Sequence, residues 1–193
     1  MKNTILLSIL LLQLSCEKTS SFNSPRFGNE IVESIKSEPS FEINKEENTI
    51  KKRFPAPEGY LWVGGNSESF GNYLENFPLK KYGSSILKYD GTEIATQNLH
   101  EAIFDIDTGA KDLQQCADAL IRLRAEYLFK TKKFDEIEFH FTSGDLMTWD
   151  AYKNGTRAFV NGNSVQFKKT ENYDDSKENF RKYLDLIFNY AGT

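Results

Sequence analysis

Cysteine and histidine are both scarce in this chain. Only Cys16, Cys116, His100 and His140 occur among 193 residues, and neither histidine has a cysteine or carboxylate at ligand spacing, which argues against a metal site. No G-x-S-x-G, Walker or G-x-G-x-x-G pattern is present, so no cofactor is implied. Clusters of basic residues are missing too, and the net charge is −4. An acidic surface excludes nucleic acid as a partner and offers no electrostatic grip on anionic lipid. Long apolar runs are absent as well: the one run, Ile5 to Leu12, is too short to cross a bilayer as a stable helix. No internal repeat is found.

What that run does make is an export signal. Lys2 supplies a short basic start, Ile5 to Leu12 the apolar stretch, and Gln13-Leu14-Ser15-Cys16 an end that resembles a bacterial lipobox. In that motif a small residue precedes a cysteine that is lipidated and becomes the new N-terminus; Gln13 stands where the pattern usually has Leu. The other reading is an ordinary signal peptide cut nearby, with Cys16 discarded. Either way the mature protein is expected outside the cytoplasm, as a membrane-anchored lipoprotein in the first case. Cys116 is then the only thiol left, so no intramolecular disulfide can form, and it is either buried and inert or kept for its reactivity. Residues 17–52 are polar, with scattered Pro25 and Pro39, and read as a tether, within which Ile31, Val32 and Ile35 could line one short helix.

From Arg53 to Thr193 the chain is long enough for one core. Arg53 to Tyr60 reads as a proline-stiffened entry into a short strand, Leu61-Trp62-Val63. Ser67 or Ser69 caps a helix carrying Phe70, Tyr73, Leu74 and Phe77, which Pro78 stops. Asp90-Gly91 turns a hairpin between 84–89 and 93–96, and Ala102 to Asp107 alternates as a strand. After the central helix, Ile137, Phe139 and Phe141 face inward while Glu138, His140 and Thr142 face outward. A short helical or irregular segment runs from Trp149 to Thr156, where Trp149 and Tyr152 belong to the core or line a cleft. A second hairpin turns at Asn161-Gly162. Asp175 or Ser176 caps a last helix with an apolar face of Phe180, Tyr183, Leu184, Ile187, Phe188 and Ala191. The order predicts an α+β domain, a mostly antiparallel sheet packed against two main helices.

The central helix spans Asp112 to Phe129, with Asp112 as N-cap and no Gly or Pro to interrupt it. A 100° advance per residue sets Leu113, Cys116, Ala117, Leu120, Tyr127 and Leu128 on one face and turns Gln115, Asp118, Arg122 and Glu126 away. Arg124 falls within the apolar stripe, so it is expected buried and paired with Asp107 or Asp105 from the preceding strand. Those two aspartates could instead form a catalytic carboxylate pair, but one partnering Arg124 and one solvated is the simpler reading. A thiol near a helix N-terminus lies at the positive end of the helix dipole, which favours thiolate. On this geometry Cys116 packs inward and His140 points to the other side of the sheet.

Several phrases together resemble one family. Phe104-Asp105-Ile106-Asp107-Thr108-Gly109, Asp112 to Ala119, Arg122 to Leu128, Phe141-Thr142-Ser143-Gly144 and Tyr190-Ala191-Gly192-Thr193 are similar to the exported Bacteroidetes proteins called domain of unknown function 4846. The Ser69 to Leu74 segment fits as well. The resemblance implies a further strand with a Gly-His pair after Thr193, so the chain is expected to be C-terminally truncated. A cysteine opening a helix and a histidine on a later strand is the layout of papain-like thiol hydrolases of the NlpC/P60 type, of which this would be an incomplete version. By that analogy Cys116 is the nucleophile and Gln114 or Gln115 an oxyanion donor. Two expectations stand: a non-catalytic or inactive lipoprotein module that binds an envelope peptide or glycan, and a thiol hydrolase of envelope peptides whose histidine lies beyond this chain.

Overall fold

The computed structural model describes residues 42–63 and 65–191. The export signal and residues 17–41 of the expected tether lie outside them. The tether does not extend to residue 52. Residues 42–52 pack on the domain through helix α1 (Ile50–Arg53), the Leu79 N–H donates to Asn48 O at 2.7 Å, and Thr49 bridges Pro78. Arg53, almost fully buried, donates from Nε to Glu47 O at 2.7 Å and from one terminal nitrogen to Lys80 O at 2.9 Å.

Helix α2 (Phe70–Glu75) begins where Ser69 accepts from the Asn72 N–H at 3.1 Å, as its spacing predicts. Helix α3 (Cys116–Lys130) follows a long connection. A single 3₁₀ turn, Phe134–Glu136, then leads into strand β1 (Glu138–His140), which pairs antiparallel with β2 (Leu146–Thr148). Helix α4 (Trp149–Lys153) follows directly, capped by Thr148. Strands β3 (Thr156–Asn161) and β4 (Ser164–Lys169) form a second antiparallel ribbon. Helix α5 (Lys177–Tyr190) is capped by Ser176, which accepts from the Asn179 N–H at 3.1 Å.

The class is α+β, with strands paired antiparallel. Among the described residues, however, they form two separate two-stranded ribbons rather than one sheet. The missing strands have a local cause. Around the Asp90-Gly91 turn only Leu87 and Glu93 bridge, because the Gln97 side chain bonds the Ile86 N–H and the carbonyls of Ile86 and Ile94, taking over ladder positions. Residues 102–107 contribute one bridge, Leu79 to Phe104. Leu61-Trp62-Val63 is not a strand and has no pairing partner among the described residues. The second hairpin turns at Gly162-Asn163, one residue later than expected; Gly162, at φ 58°, takes the first turn position.

The core lies where α3, α4 and α5 meet the inner face of β1 and β2. Ile137 and Phe141 point inward from the first ribbon, and Leu128, Met147, Trp149, Tyr183, Leu184 and Ile187 close it. Trp149 and Tyr152 are core residues. Their rings contact Tyr183 at centroid distances of 5.6 and 5.4 Å, and Phe180 meets Trp149 edge-on at 5.2 Å. A second aromatic cluster, Phe70, Tyr73 and Phe77, fastens α2 to Tyr127 of α3.

One glycine ties the second ribbon to the core. Gly155 has φ 94°, its carbonyl accepts from the N–H groups of Thr170 and Glu171, and an added Cβ would run into the Glu171 carbonyl. Gly155→Ala is therefore expected to cost about 2–3 kcal/mol, from left-handed strain plus the lost approach. Gly162→Ala, strained but with open space around it, should cost only about 1 kcal/mol. Urea unfolding of both variants checks the ordering.

Candidate functional site

Helix α3 begins at Cys116, three residues later than an Asp112 cap would place it. Residues 111–115 are spent in tight turns, and Gln115 is the N-cap, its backbone N–H donating to Asp118 Oδ2 at 3.0 Å. This returning carboxylate is half of a capping box and fixes where the helix starts. Cys116 is thus the first helical residue, and it is exposed rather than packed inward. Asp118, not the thiol, supplies the negative charge that the helix end attracts.

The helix is also rotated relative to the expected wheel. Leu120 is exposed, whereas Asp118 and Arg122 are buried beside Leu123, Ala125, Tyr127 and Leu128. Arg124 does not occupy the interior. It pairs with Glu136 at 3.4 Å, is 42% exposed, and lies over the rings of Phe70 and Tyr127, each 5.4 Å away. The buried guanidinium is that of Arg122, 7% exposed, which reaches Glu126 at 2.9 Å, Asp107 Oδ2 at 3.1 Å and Gln114 Oε1 at 3.2 Å. The reason is the environment of the helix's first half, which faces the polar 107–114 connection rather than the hydrocarbon core. A cation is stable there because acids and carbonyls surround it.

Asp107 is shared between two helices. Its other oxygen lies 3.4 Å from Arg181 of α5, which also donates to Thr108 O at 3.0 Å and to Asp185 at 3.2 Å, while Lys111 pairs with Asp185 at 3.1 Å. Gly109, at φ 79°, allows this approach, since a Cβ there would meet the Arg181 guanidinium. Asp105 is exposed and takes no part. Arg122 and Arg181 were both visible in the sequence as i,i+4 pairs with Glu126 and Asp185, a signal that points to helix faces rather than to burial.

No hydrogen bond joins Cys116 to either imidazole among the described residues. His100 Nε2 lies 3.1 Å from Ser84 O, and His140 is exposed on β1. Gln114 accepts from Arg122 through Oε1 at 3.2 Å, which leaves its N–H groups uncommitted, and Gln115 is exposed at the N-cap beside the thiol. The described residues hold no cluster of three or more metal-ligating side chains. Four phenols are raised, those of Tyr73, Tyr152, Tyr173 and Tyr183, two of them strongly. Burial, reinforced by the charge of Glu126, pushes Tyr73 up to about 12, and burial drives Tyr183 well above the ordinary tyrosine range, so both remain hydrogen-bond donors at neutral pH.

The feature with no counterpart in the sequence expectations is an apolar groove of about 650 Å³ beside the 54–63 entry segment. Phe54, Pro55, Pro57, Tyr60, Leu61, Trp62 and Val63 are among the residues that line it. A turn shapes it: the Tyr60 N–H donates to Pro57 O at 2.9 Å with Gly59 at φ 83°, the geometry of a type II turn. Trp62 Nε1 donates to Phe54 O at 3.2 Å. Leu61 and Val63 are 91% and 85% exposed. The run of consecutive apolar residues that suggested a strand is the signal that could have found this surface.

The pairing pattern carries a measurable consequence. Arg122→Met should destabilise the fold by about 2 kcal/mol, less than for a fully enclosed pair because Asp107 keeps its solvent contact. Arg124→Met should cost under about 1 kcal/mol, as an exposed pair with weak cation–π contact does. Equal effects in chemical denaturation would contradict the arrangement.

No curated protein and no solved structure matches this chain. The family model described as Domain of unknown function (4846) matches residues 50–193, a span that takes in both arginines of the Asp107 network, the groove and every helix and strand described above. The chain belongs to that family.

Proposed function

We propose that this protein is an exported envelope lipoprotein whose family domain works as a non-catalytic docking module, held near the membrane by lipid on Cys16. The observation that carries the docking role is the solvent-facing groove at Tyr60 to Val63. Soluble domains rarely leave contiguous large apolar side chains in water, and such patches mark interaction surfaces. Support for the anchor is the Leu14-Ser15-Cys16 end of an export signal. The envelope compartment offers peptide, glycan and the membrane surface itself as partners of such a module.

A second reading, a papain-like thiol hydrolase of envelope peptides, is favoured by one observation: Cys116 is exposed at the first residue of a 15-residue helix. Such a hydrolase needs an imidazole within about 3 Å of the sulfur or bridged by one water. Neither His100 nor His140 is hydrogen-bonded to Cys116 in the described fold.

Two measurements test these readings. Metabolic labelling with an alkyne fatty acid should mark the wild-type protein and not Cys16→Ala; a Cys16→Ala variant that still enters the detergent phase would remove the anchor. Purified protein should release nothing from envelope peptides beyond what Cys116→Ala releases. Cleavage that depends on Cys116 would replace the docking module with the hydrolase.

A further inference from the structure

We infer that the Tyr60 to Val63 turn is a membrane-interfacial loop, and that its partner is the headgroup–acyl boundary of a phospholipid bilayer. The inference rests on the lipoprotein reading above and assigns the docking surface of that module.

Four observations lead to a bilayer. The exposed run is Tyr-Leu-Trp-Val, in which two aliphatic side chains alternate with the two aromatic types that settle at membrane interfaces, where one end is apolar and the other wet. The run is pre-ordered by Pro55, Pro57, the Gly59 turn and the Trp62 bond to Phe54, so insertion orders little further chain. Glu75, which lines the groove, is held by Lys51 at 2.9 Å, whereas Glu58, exposed within the turn, has no ion pair among the described residues and has to stay on the water side of the interface. Finally, residues 17–41 lie between Cys16 and the described fold, a span of at most roughly 80–90 Å even if fully extended. A lipid at Cys16 would hold the loop at high effective concentration over one membrane surface, so even weak insertion is sufficient.

An apolar mechanism has a distinct signature. Binding should occur on zwitterionic vesicles and be indifferent to salt, because an acidic protein gains nothing from anionic headgroups.

The test uses the unlipidated chain from Glu17 to Thr193, whose core lies wholly within the described residues. Of the two tryptophans, Trp149 is fully buried, so Trp62 supplies any vesicle-dependent change in emission. With phosphatidylcholine vesicles, Trp62 emission should shift to the blue, be quenched by lipids brominated on the acyl chain, and do so equally at low and high salt. Leu61→Glu combined with Val63→Glu should lower the vesicle partition coefficient about tenfold or more, since each buried aliphatic side chain is worth roughly that factor. Its melting curve should stay unchanged because both side chains face solvent. Tyr60→Ser, a milder change, should give an intermediate loss.

Four results would overturn the inference. Trp62 emission could be indifferent to vesicles. Binding could require anionic lipid and vanish in salt. Trp62 could already be blue-shifted and shielded from iodide without vesicles, meaning that the chain covers its own groove. Or the protein could self-associate through a contact that the double substitution abolishes, making the partner a second copy. The anchor is judged separately by fatty-acid labelling at Cys16: loss of labelling with intact vesicle binding removes the anchor and keeps the loop, and the reverse removes the loop alone.

Discussion

The fold is held around Trp149. Its backbone N–H donates to Ile137 O at 2.8 Å, extending the β1–β2 ladder into the first residue of α4, while its ring contacts Phe129 of α3, Tyr152 of α4, and Phe180 and Tyr183 of α5. Three helices and a ribbon therefore share one indole. The position of the ribbon is fixed at the same place, because Tyr183 Oη donates to Met147 O at 2.9 Å. A hydroxyl buried this deeply must find an acceptor, and a one-residue slip of β2 would remove it while turning Met147 toward solvent. Burial also holds the Tyr183 proton in place far beyond neutral pH, so the bond does not depend on mild changes of conditions.

A second constraint acts nearer the N-terminus of α3. Asp107 joins Arg122 of α3 to Arg181 of α5 and brings the 107–114 connection down onto both helices. Aromatic packing sets the distance between the helices, and the shared carboxylate sets where the connection crosses them. Gly109 is part of the same device, since only a residue without Cβ lets Arg181 reach the Thr108 carbonyl.

The parts legible in the sequence are those where one local rule acted without competition. Helix α5 has a serine cap and an apolar stripe that agree with each other, and β1 alternates over a single buried face. Helix α3 was legible as a helix but not in its orientation. Its first half meets a polar connection and its second half the core, so an apolar stripe computed over the whole length averages two different surroundings. Arg124 and Leu120 were drawn inward by that average, and Arg122 outward. Its start was obscured for a related reason: Asp112 is the favoured type of cap, but the start is set by Asp118 reaching back three residues to the Gln115 N–H. The strands before α3 failed because a glutamine side chain outcompeted backbone pairing, an outcome that residue propensity does not register.

Leu61-Trp62-Val63 is the most instructive departure, because β-propensity and exposure compete there. The residue types favour a strand, yet none of the described residues pairs with it, and the segment is instead held by a turn, two prolines and one indole hydrogen bond. Ordering a chain costs conformational entropy that ordinary apolar segments recover by burial. Here the large apolar faces stay in water, and the ordering cost is met instead by the two prolines, which leave the unfolded chain less freedom to lose, and by the turn and indole hydrogen bonds. A thiol hydrolase would concentrate its local order elsewhere, around the sulfur, with a base and oxyanion donors held within hydrogen-bond reach. Around Cys116 the specific bonds serve to start a helix and to bury an arginine. The order of the exposed entry segment is consistent with a surface made to be covered, and its aromatic–aliphatic chemistry is that of a lipid interface.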